Sequence, residues 1–210
     1  MTGPLFWDVD TQVDFMHPDG RLYVPGSVEI IPVLQRLTDH AHALGIQILA
    51  SADDHVPGHR ELSETPDFVT TFPDHCMRGT PGQRKIPETA LDDPLVIDPS
   101  PRDPAALATQ VRAHPGDLLF HKHWFDVFTN PNVQPAVAAL SPERIVLYGV
   151  ALDVCNRYAI EGLLRHHPGI PVTLVTDATR AIDPARTEAL LADWAARGVT
   201  LQTADEVLSS

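Results

Sequence analysis

Cysteines and long apolar runs are both scarce in this sequence. The 210 residues include two cysteines, Cys76 and Cys155, which is too few for a disulfide-stapled fold. No apolar run approaches the about 20 residues that a membrane-spanning helix requires. The first residues also lack the charged and then apolar pattern of a signal peptide. We therefore expect a soluble, cytoplasmic protein that has no membrane as a partner.

Basic residues are few as well. The chain has 15 lysines and arginines against 28 aspartates and glutamates, a formal net charge of -13, and its basic residues form no cluster. This composition argues against nucleic acid or an anionic membrane as a partner. Apolar residues, by contrast, make up 43% of the chain, enough for one sizeable core. Since we find no linker and no internal repeat, we expect one domain over residues 1–210.

Apolar runs typical of strands alternate with helical patterns along the chain. The strand runs are 4–9, 46–51, 95–98, 117–122, 144–150, 171–176 and 199–202, and the helical patterns cover 28–44, 104–113, 133–140, a segment from about 154, 184–197 and 204–208. This alternation predicts an α/β fold with a parallel sheet and right-handed crossovers. Residues 52–93 have neither pattern, and a loop of that length in a compact domain is usually functional or disordered.

A cysteine follows the strand run 144–150. The run ends at Gly149-Val150, and a helical pattern starts near Val154, so Cys155 lies in the first turn of a helix at the carboxyl end of a strand. Open α/β sheets bind their ligands at this edge. Backbone N–H groups and the helix dipole favour a thiolate there and can hold an oxyanion. The alternative is a small buried cysteine, and this stretch alone leaves both interpretations open.

Two further strand runs end in a titratable side chain. Asp10 follows the first run, and Lys122 closes the run 117–122. Because the carboxyl ends of parallel strands share one edge of the sheet, Asp10, Lys122 and Cys155 can converge. The carboxylate can accept the proton of the thiol, while the lysine keeps the carboxylate ionised and favours thiolate. The sequence therefore predicts a catalytic triad that needs no histidine.

The long loop contains a second group of reactive side chains. Asp53 and His55 point the same way in an extended segment, because side chains of a strand alternate, and His75 could complete a facial set. Two imidazoles and one carboxylate with open positions suit zinc, iron or manganese. Either His59 or Asp54 could supply a fourth ligand.

These motifs together resemble those of the isochorismatase-like cysteine hydrolases, and within that superfamily those of nicotinamidases. The matching stretches follow the family's order over nearly the whole chain: Asp10-Thr-Gln-Val-Asp-Phe15, Asp53-Asp-His55, Phe72-Pro-Asp-His-Cys-Met-Arg-Gly-Thr-Pro-Gly82, Lys122 and Gly149-Val-Ala-Leu-Asp-Val-Cys155. Each motif is short, but their joint occurrence is highly specific.

The resemblance implies a fold, a triad and an assembly. The implied fold is a three-layer α/β/α sandwich with a six-stranded parallel sheet, and the implied triad is Asp10, Lys122 and Cys155. Family members are commonly dimers or tetramers, so a homo-oligomer is expected by analogy.

The resemblance also implies a metal site and an oxyanion hole. The implied ligands of a divalent metal, usually zinc or iron, are Asp53, His55 and His75. His59 matches a histidine that is a ligand in some nicotinamidases and not in others. The Val150–Ala151 peptide should be cis, and the N–H groups of Ala151 and Cys155 should hold the oxyanion.

The chain departs from the nicotinamidase pattern at two positions. Asp54 stands between the metal-binding Asp and His, where an aromatic residue is usual, and Phe72 stands where many members have tryptophan. A carboxylate at Asp54 could suit a more polar amide or could simply face solvent. Phe15, Phe72 and Trp124 are the predicted walls of a pocket for a flat ring, although each could equally be a core residue.

The predicted activity is that of a metal-dependent cysteine amidohydrolase. It would release ammonia from a small planar carboxamide, with nicotinamide as the leading candidate, through a thioester on Cys155. One alternative is a related C–N hydrolase that acts on an N-carbamoyl compound, biuret or maleamate. A second alternative, from another class, is a member without catalysis that binds a metabolite. Isochorismatases proper cleave a vinyl ether and generally lack the metal site, so the metal residues argue against that reaction.

Overall fold

A computed structural model describes residues 3–209 of the chain. Its strands are β1 (Pro4–Val9), β2 (Ile48–Asp53), β3 (Leu95–Ile97), β4 (Leu118–Lys122), β5 (Arg144–Val150), β6 (Val172–Arg180) and β7 (Thr200–Gln202). All pair in parallel, in the order β3-β4-β2-β1-β5-β6-β7. The predicted α/β class with a parallel sheet is confirmed. The sheet has seven strands instead of the six implied by the resemblance, because three-residue strands pair at both of its edges.

Helices cover both faces of the sheet. They are α1 (Val13–Met16), α2 (Ser27–Leu44), α3 (Pro104–Ala113), α4 (Val133–Leu140), α5 (Cys155–His166), α6 (Thr187–Ala196) and α7 (Ala204–Leu208). Because side chains alternate along a strand, Leu5, Trp7 and Val9 of β1 pack into one core with α3 to α6, whereas Phe6 packs into the other core with α1, α2 and α7. The three-layer sandwich follows from this alternation.

Two strands extend past their predicted carboxyl ends. β2 extends to Asp53, two residues past the predicted end, and β6 extends to Arg180. At the end of β2 the polar residues Ser51 and Asp53 are fully buried, so the apolar pattern stops before the strand does. The extension places Asp53 in register with Lys122 of β4. The short helix α1, within a segment predicted as loop, was also missed.

The backbone of β5 comes very close to β1 at Gly149. This residue has a φ of +112°, and a Cβ atom there would lie 2.1 Å from the carbonyl oxygen of Val9. Glycine is therefore required both by the backbone conformation and by the space available. The peptide between Val150 and Ala151 is cis, as the resemblance implies.

The sheet has a switch point at β1. The chain passes from β1 to β2 on one side and later adds β5 on the other side. A crevice that can bind a ligand forms at such a point, outside the carboxyl ends of the strands. Within residues 3–209, no helix is both long and apolar enough to cross a membrane.

Candidate active site

Four strand ends bring polar side chains to this crevice. Asp10 directly follows β1, Asp53 ends β2, Lys122 ends β4, and Cys155 begins α5 after β5. The parallel pairing of β2 with β4 holds Asp53 and Lys122 as neighbours in the sheet. The four side chains come from distant parts of the chain, and sheet register alone brings them together.

Asp10, Lys122 and Cys155 form a compact buried group. Lys122 Nζ lies 2.9 Å from Asp10 Oδ2 and 3.6 Å from Cys155 Sγ. The same ammonium donates a short hydrogen bond to Asp53 Oδ1. The Ser51 hydroxyl donates to Asp10 Oδ1 at 2.7 Å and so helps to orient that carboxylate. The three residues of the predicted triad are therefore in mutual reach.

Burial controls the protonation of this group. It raises the pKa of the Cys155 thiol well above its ordinary value, and the nearby Lys122 charge offsets only part of that effect. Burial also raises the pKa of Asp10 more than Lys122 lowers it. Burial disfavours the Lys122 ammonium, but the carboxylates of Asp10 and Asp53 outweigh it and raise the lysine pKa. Burial therefore favours the neutral thiol of Cys155, whereas the two carboxylates favour the charged ammonium of Lys122.

The turn between β5 and α5 carries the two residues predicted to hold an oxyanion. The carbonyl oxygen of Ala151 accepts hydrogen bonds from the N–H groups of Val154 and Asn156 at 3.1 and 3.0 Å, which closes a tight turn around Cys155. Cys155 is the first residue of α5. Its N–H therefore has no acceptor within the helix. Both Ala151 and Cys155 line the same cavity.

Asp53, His55 and His75 lie together with a fourth side chain, Glu61. The ligand atoms of these four buried residues all lie within 4.8 Å of one another. His55 Nε2 is 3.7 Å from Asp53 Oδ1. His75 Nε2 is 3.6 Å from Asp53 Oδ2 and 3.5 Å from Glu61 Oε1. The cluster contains the three predicted metal residues and one carboxylate that sequence analysis missed.

This cluster fits a divalent metal ion. Ligand atoms bound to one tetrahedral zinc at about 2.1 Å stand about 3.4 Å apart, close to the separations above. Each member has a buried atom without a hydrogen-bond partner, namely Asp53 Oδ2, His55 Nε2, Glu61 Oε2 and His75 Nε2. Such atoms are rare in folded proteins unless an ion or water satisfies them.

The electrostatics of the cluster also favour a cation. Burial works against a charged His75, but the nearby carboxylates of Asp53 and Glu61 outweigh it and raise its pKa to about 10. Burial lowers the pKa of His55 to about 3, so this imidazole is neutral at neutral pH, as a metal ligand must be. The two carboxylates thus attract positive charge into a buried site.

His59 does not join this cluster. Its Nδ1 lies 3.2 Å from His55 Nδ1, the ring nitrogen of His55 that is not part of the cluster. The fourth side chain beside Asp53, His55 and His75 is Glu61, which has the buried position that His59 lacks.

Asp54 is held away from the cavity by a network of its own. Arg78 Nε donates to its two carboxylate oxygens at 2.8 and 3.1 Å, and Gln83 Nε2 donates at 2.6 Å. Burial disfavours ionisation of Asp54, but the hydrogen bond from Arg78 and the charge of His121 outweigh it and lower the pKa. The carboxylate therefore does not face solvent and is not among the residues that line the pocket, and we infer a structural role for it.

We expect the substitution Asp54→Asn to change stability and leave substrate choice alone. Loss of the ion pair with the half-exposed Arg78 should cost about 1 kcal/mol of unfolding free energy, because the amide still accepts one hydrogen bond. The ratio of kcat/KM values between two amides should equal that of the unsubstituted protein. Asp98→Asn is the control, since Asp98 contacts the same His121 but is exposed. A changed amide preference in Asp54→Asn alone would contradict this assignment.

The cavity beside Cys155 is small and mostly apolar. Its free volume is about 10 Å³, about the space of one water molecule and well below the roughly 300 Å³ of small ligand pockets. Its apolar lining consists of Phe15, Leu22, Val24, Phe72, Ala151, Val154 and Ile182, and its polar lining consists of Asp53, Glu61, His75 and Cys155. Phe15 and Phe72 thus line it as predicted. Trp124 does not line the cavity: the Arg60 guanidinium lies 3.9 Å above its ring, which also contacts the tilted ring of Phe125.

Sequence reasoning missed two residues of the site. Glu61 lies in the loop without periodicity, and its sequence neighbours give no signal. Gln12 belongs to the motif Asp10-Thr-Gln-Val-Asp-Phe15. Its side-chain amide makes two hydrogen bonds to the backbone of Asp53: Nε2 donates to the carbonyl oxygen at 2.8 Å, and Oε1 accepts from the N–H at 2.7 Å. Its place two residues after Asp10 was the available clue.

Comparison with known proteins gives a consistent result. Residues 8–206 match the isochorismatase domain family. The nicotinamidase/pyrazinamidase of Mycobacterium tuberculosis is 26% identical over 200 residues, which cover 92% of this chain and 95% of that protein. The family match spans nearly the whole chain.

Two solved structures share the fold. Pyrazinamidase of Pyrococcus horikoshii, in complex with zinc, superposes with a TM-score of 0.75 at 24% identity and covers 95% of this chain and 98% of its own. N-carbamoylsarcosine amidase from Thermoplasma acidophilum superposes with a TM-score of 0.71 at 22% identity, with coverage of 97% and 98%. At these identities the likeness establishes the architecture.

Proposed function

The chain belongs to the isochorismatase family, and from that membership we propose that it is a metal-dependent cysteine amidohydrolase that converts nicotinamide, or a closely similar planar carboxamide, to the carboxylate and ammonia. The expected class, a hydrolase of amide C–N bonds, agrees with the amidases among its relatives. One observation carries the proposal. A buried thiol, Cys155, lies between Asp10 and Lys122 at a small apolar cavity that a metal-type cluster borders.

In the proposed first step, the thiol becomes the nucleophile. Asp10 accepts the Cys155 proton as Sγ attacks the amide carbon, which gives a tetrahedral oxyanion. The N–H groups of Ala151 and Cys155 hold that oxyanion. Asp10 then returns the proton to the departing nitrogen, so that ammonia leaves and a thioester remains.

In the second step, water cleaves the thioester. Asp10, again a carboxylate, removes a proton from the water, whose oxygen attacks the thioester carbon. The product leaves as the carboxylic acid, which ionises in solution, and Asp10 returns its proton to Cys155 to restore the thiol. Lys122 keeps one positive charge within reach of Asp10 and of Cys155 Sγ throughout, which stabilises each negative charge as it forms.

Asp53, His55, Glu61 and His75 would hold the metal. When bound, a zinc, iron or manganese ion supplies a Lewis acid that can anchor a ring nitrogen or another polar substituent of the substrate. Zinc is our first choice, because two imidazoles and two carboxylates are common zinc ligands. Asp53 also contacts Lys122, so one carboxylate orients the metal cluster and the triad together.

The lining of the cavity favours a neutral aromatic amide over the alternatives. Among the residues that line it, none is a lysine or an arginine, and a carboxylate on an N-carbamoyl amino acid or on maleamate would lack a cationic partner. Biuret is neutral, but its polar surface would face apolar walls such as Phe15 and Phe72. A binding protein without catalysis has no need for a thiol flanked by Asp10 and Lys122.

The test is ammonia release from nicotinamide by metal-loaded protein, beside the same protein treated with a chelator. We expect fast release that the chelator abolishes and that added zinc, iron or manganese restores. A panel with pyrazinamide, N-carbamoylsarcosine, maleamate and biuret should favour the two ring amides. Faster turnover of a carboxylate-bearing amide would reject the proposed substrate and favour the related C–N hydrolase. No turnover of any amide would favour the binding protein.

A further inference from the structure

His59 contacts the metal cluster only through another histidine. Its Nδ1 lies 3.2 Å from His55 Nδ1. The N–H of Val56 also donates to His59 Nδ1, at 3.4 Å. The His59 ring also packs against His123, with centroids 4.3 Å apart, which further restrains its orientation.

These contacts determine where the proton of the His55 ring lies. A neutral imidazole carries one N–H and one lone pair. His59 Nδ1 accepts a hydrogen bond from the backbone N–H of Val56, so this nitrogen carries the lone pair of the His59 ring. The same lone pair can accept a second, shared hydrogen bond. In the close contact of the two Nδ1 atoms, the donor is then His55.

A proton on His55 Nδ1 leaves Nε2 with its lone pair. That Nε2 is the buried atom without a hydrogen-bond partner that faces Asp53. His75 makes a similar outer contact, because its Nδ1 donates to the carbonyl oxygen of Pro73 at 2.7 Å while its Nε2 belongs to the cluster. Metal-binding histidines commonly have such an outer hydrogen bond, which fixes the tautomer and orients the ring.

We propose that His59 is a positioning residue for the metal site: it accepts a hydrogen bond from His55 Nδ1 and thereby presents the His55 Nε2 lone pair to the ion, while Glu61 supplies the fourth ligand. This inference rests on the metal site of the proposed function. This role differs from direct binding of the metal by His59, a possibility that the sequence left open.

Metal affinity distinguishes the two roles. We expect His59→Ala to weaken zinc binding about 10- to 100-fold, the usual effect of losing an outer-shell partner, as measured by competition with a chromophoric chelator. His59→Asn should bind zinc nearly as tightly as the unsubstituted protein, because the asparagine Oδ1 can occupy the place of Nδ1 and accept the same hydrogen bond. Glu61→Ala should weaken binding more than His59→Ala, since it removes a ligand.

The absorption spectrum of the cobalt-substituted protein provides a second readout. The bands of cobalt(II) depend on the number and type of its ligands, so His59→Asn should leave them unchanged and Glu61→Ala should shift them. His114→Ala controls for weak imidazole binding, because it removes a half-buried histidine that precedes β4, at the opposite edge of the sheet from the cluster, and whose ring contacts the carbonyl oxygen of Asp93.

Two results would overturn the positioning role. A shifted cobalt spectrum together with weak zinc binding in His59→Asn would make His59 a ligand. Unchanged zinc affinity in His59→Ala would mean that His59 has no role in the metal site. Neither readout uses turnover, so a protein that follows the expected affinities but releases no ammonia would reject the amidase proposal alone. A protein that binds no zinc would reject the metal site itself.

Discussion

Replacement of Cys155 by alanine should lower kcat for ammonia release by about four to six orders of magnitude, as loss of a catalytic nucleophile does in other enzymes. Asp10 and Lys122 would still be present, but no thioester could form. The measurement is ammonia release at saturating nicotinamide, with circular dichroism to check the fold. Because the thiol is small and at the edge of the core, the alanine variant should remain folded.

Cys76 provides the matched control. It is fully buried, and its thiol has a pKa well above the ordinary value because of burial. Its backbone N–H, rather than its sulfur, makes the contact with Asp14 at 2.7 Å. Cys76→Ala removes the same atoms as Cys155→Ala, and it should retain turnover with a moderate loss of stability. Substantial activity in Cys155→Ala would reject the nucleophile and the mechanism built on it.

Replacement of Lys122 by methionine should abolish turnover and also destabilise the fold. The ammonium contacts the carboxylates of Asp10 and Asp53, and all three side chains are buried. Removal of one partner from a buried ion pair typically costs about 3–5 kcal/mol, because the remaining charge is unpaired. Chemical denaturation should therefore show a loss of that order at neutral pH.

The loss should shrink as the pH falls. Without the ammonium, burial would raise the pKa of Asp10 and Asp53 above their values in the unfolded chain. When a carboxyl group has a higher pKa in the folded than in the unfolded chain, it favours folding at a pH below the unfolded-state pKa. That contribution to the free energy of unfolding is lost as the pH rises through the folded-state pKa. The Lys122→Met variant should thus be closest in stability to the unsubstituted protein in mild acid. Equal destabilisation at all pH values would contradict the electrostatic explanation.

Lys85→Met separates stability from chemistry. Lys85 also pairs with a buried carboxylate, Asp8, at 2.7 Å, and its side chain is about 10% exposed. This pair lies outside the cavity lining. The Lys85 variant should lose stability but keep its turnover per folded molecule. If Lys122→Met behaved in the same way, Lys122 would be a structural residue only.

Several features of this protein follow from the sequence by itself. The alternation of apolar strand runs with helical patterns predicted the α/β class, because the buried side chains of strands and of helices repeat at different spacings along the sequence. Because the carboxyl ends of parallel strands share one edge of the sheet, the sequence also predicted that Asp10, Lys122 and Cys155 lie close together. The spacing of the loop residues grouped Asp53, His55 and His75, and the resemblance to the family implied the cis peptide at Val150–Ala151.

Other features depended on tertiary structure. Glu61 joins the metal cluster, and Arg78 pairs with Asp54 across 24 positions of sequence, through loops whose side chains follow no period. The raised pKa of the Cys155 thiol also depends on distant parts of the chain, because the surrounding core excludes water from it. Periodicity is a local property of the sequence, so it predicts strands and helices. Burial and contacts between loop side chains exist only once the whole chain is folded. Here they place Glu61 beside Asp53, His55 and His75, pair Asp54 with Arg78 and raise the pKa of the Cys155 thiol.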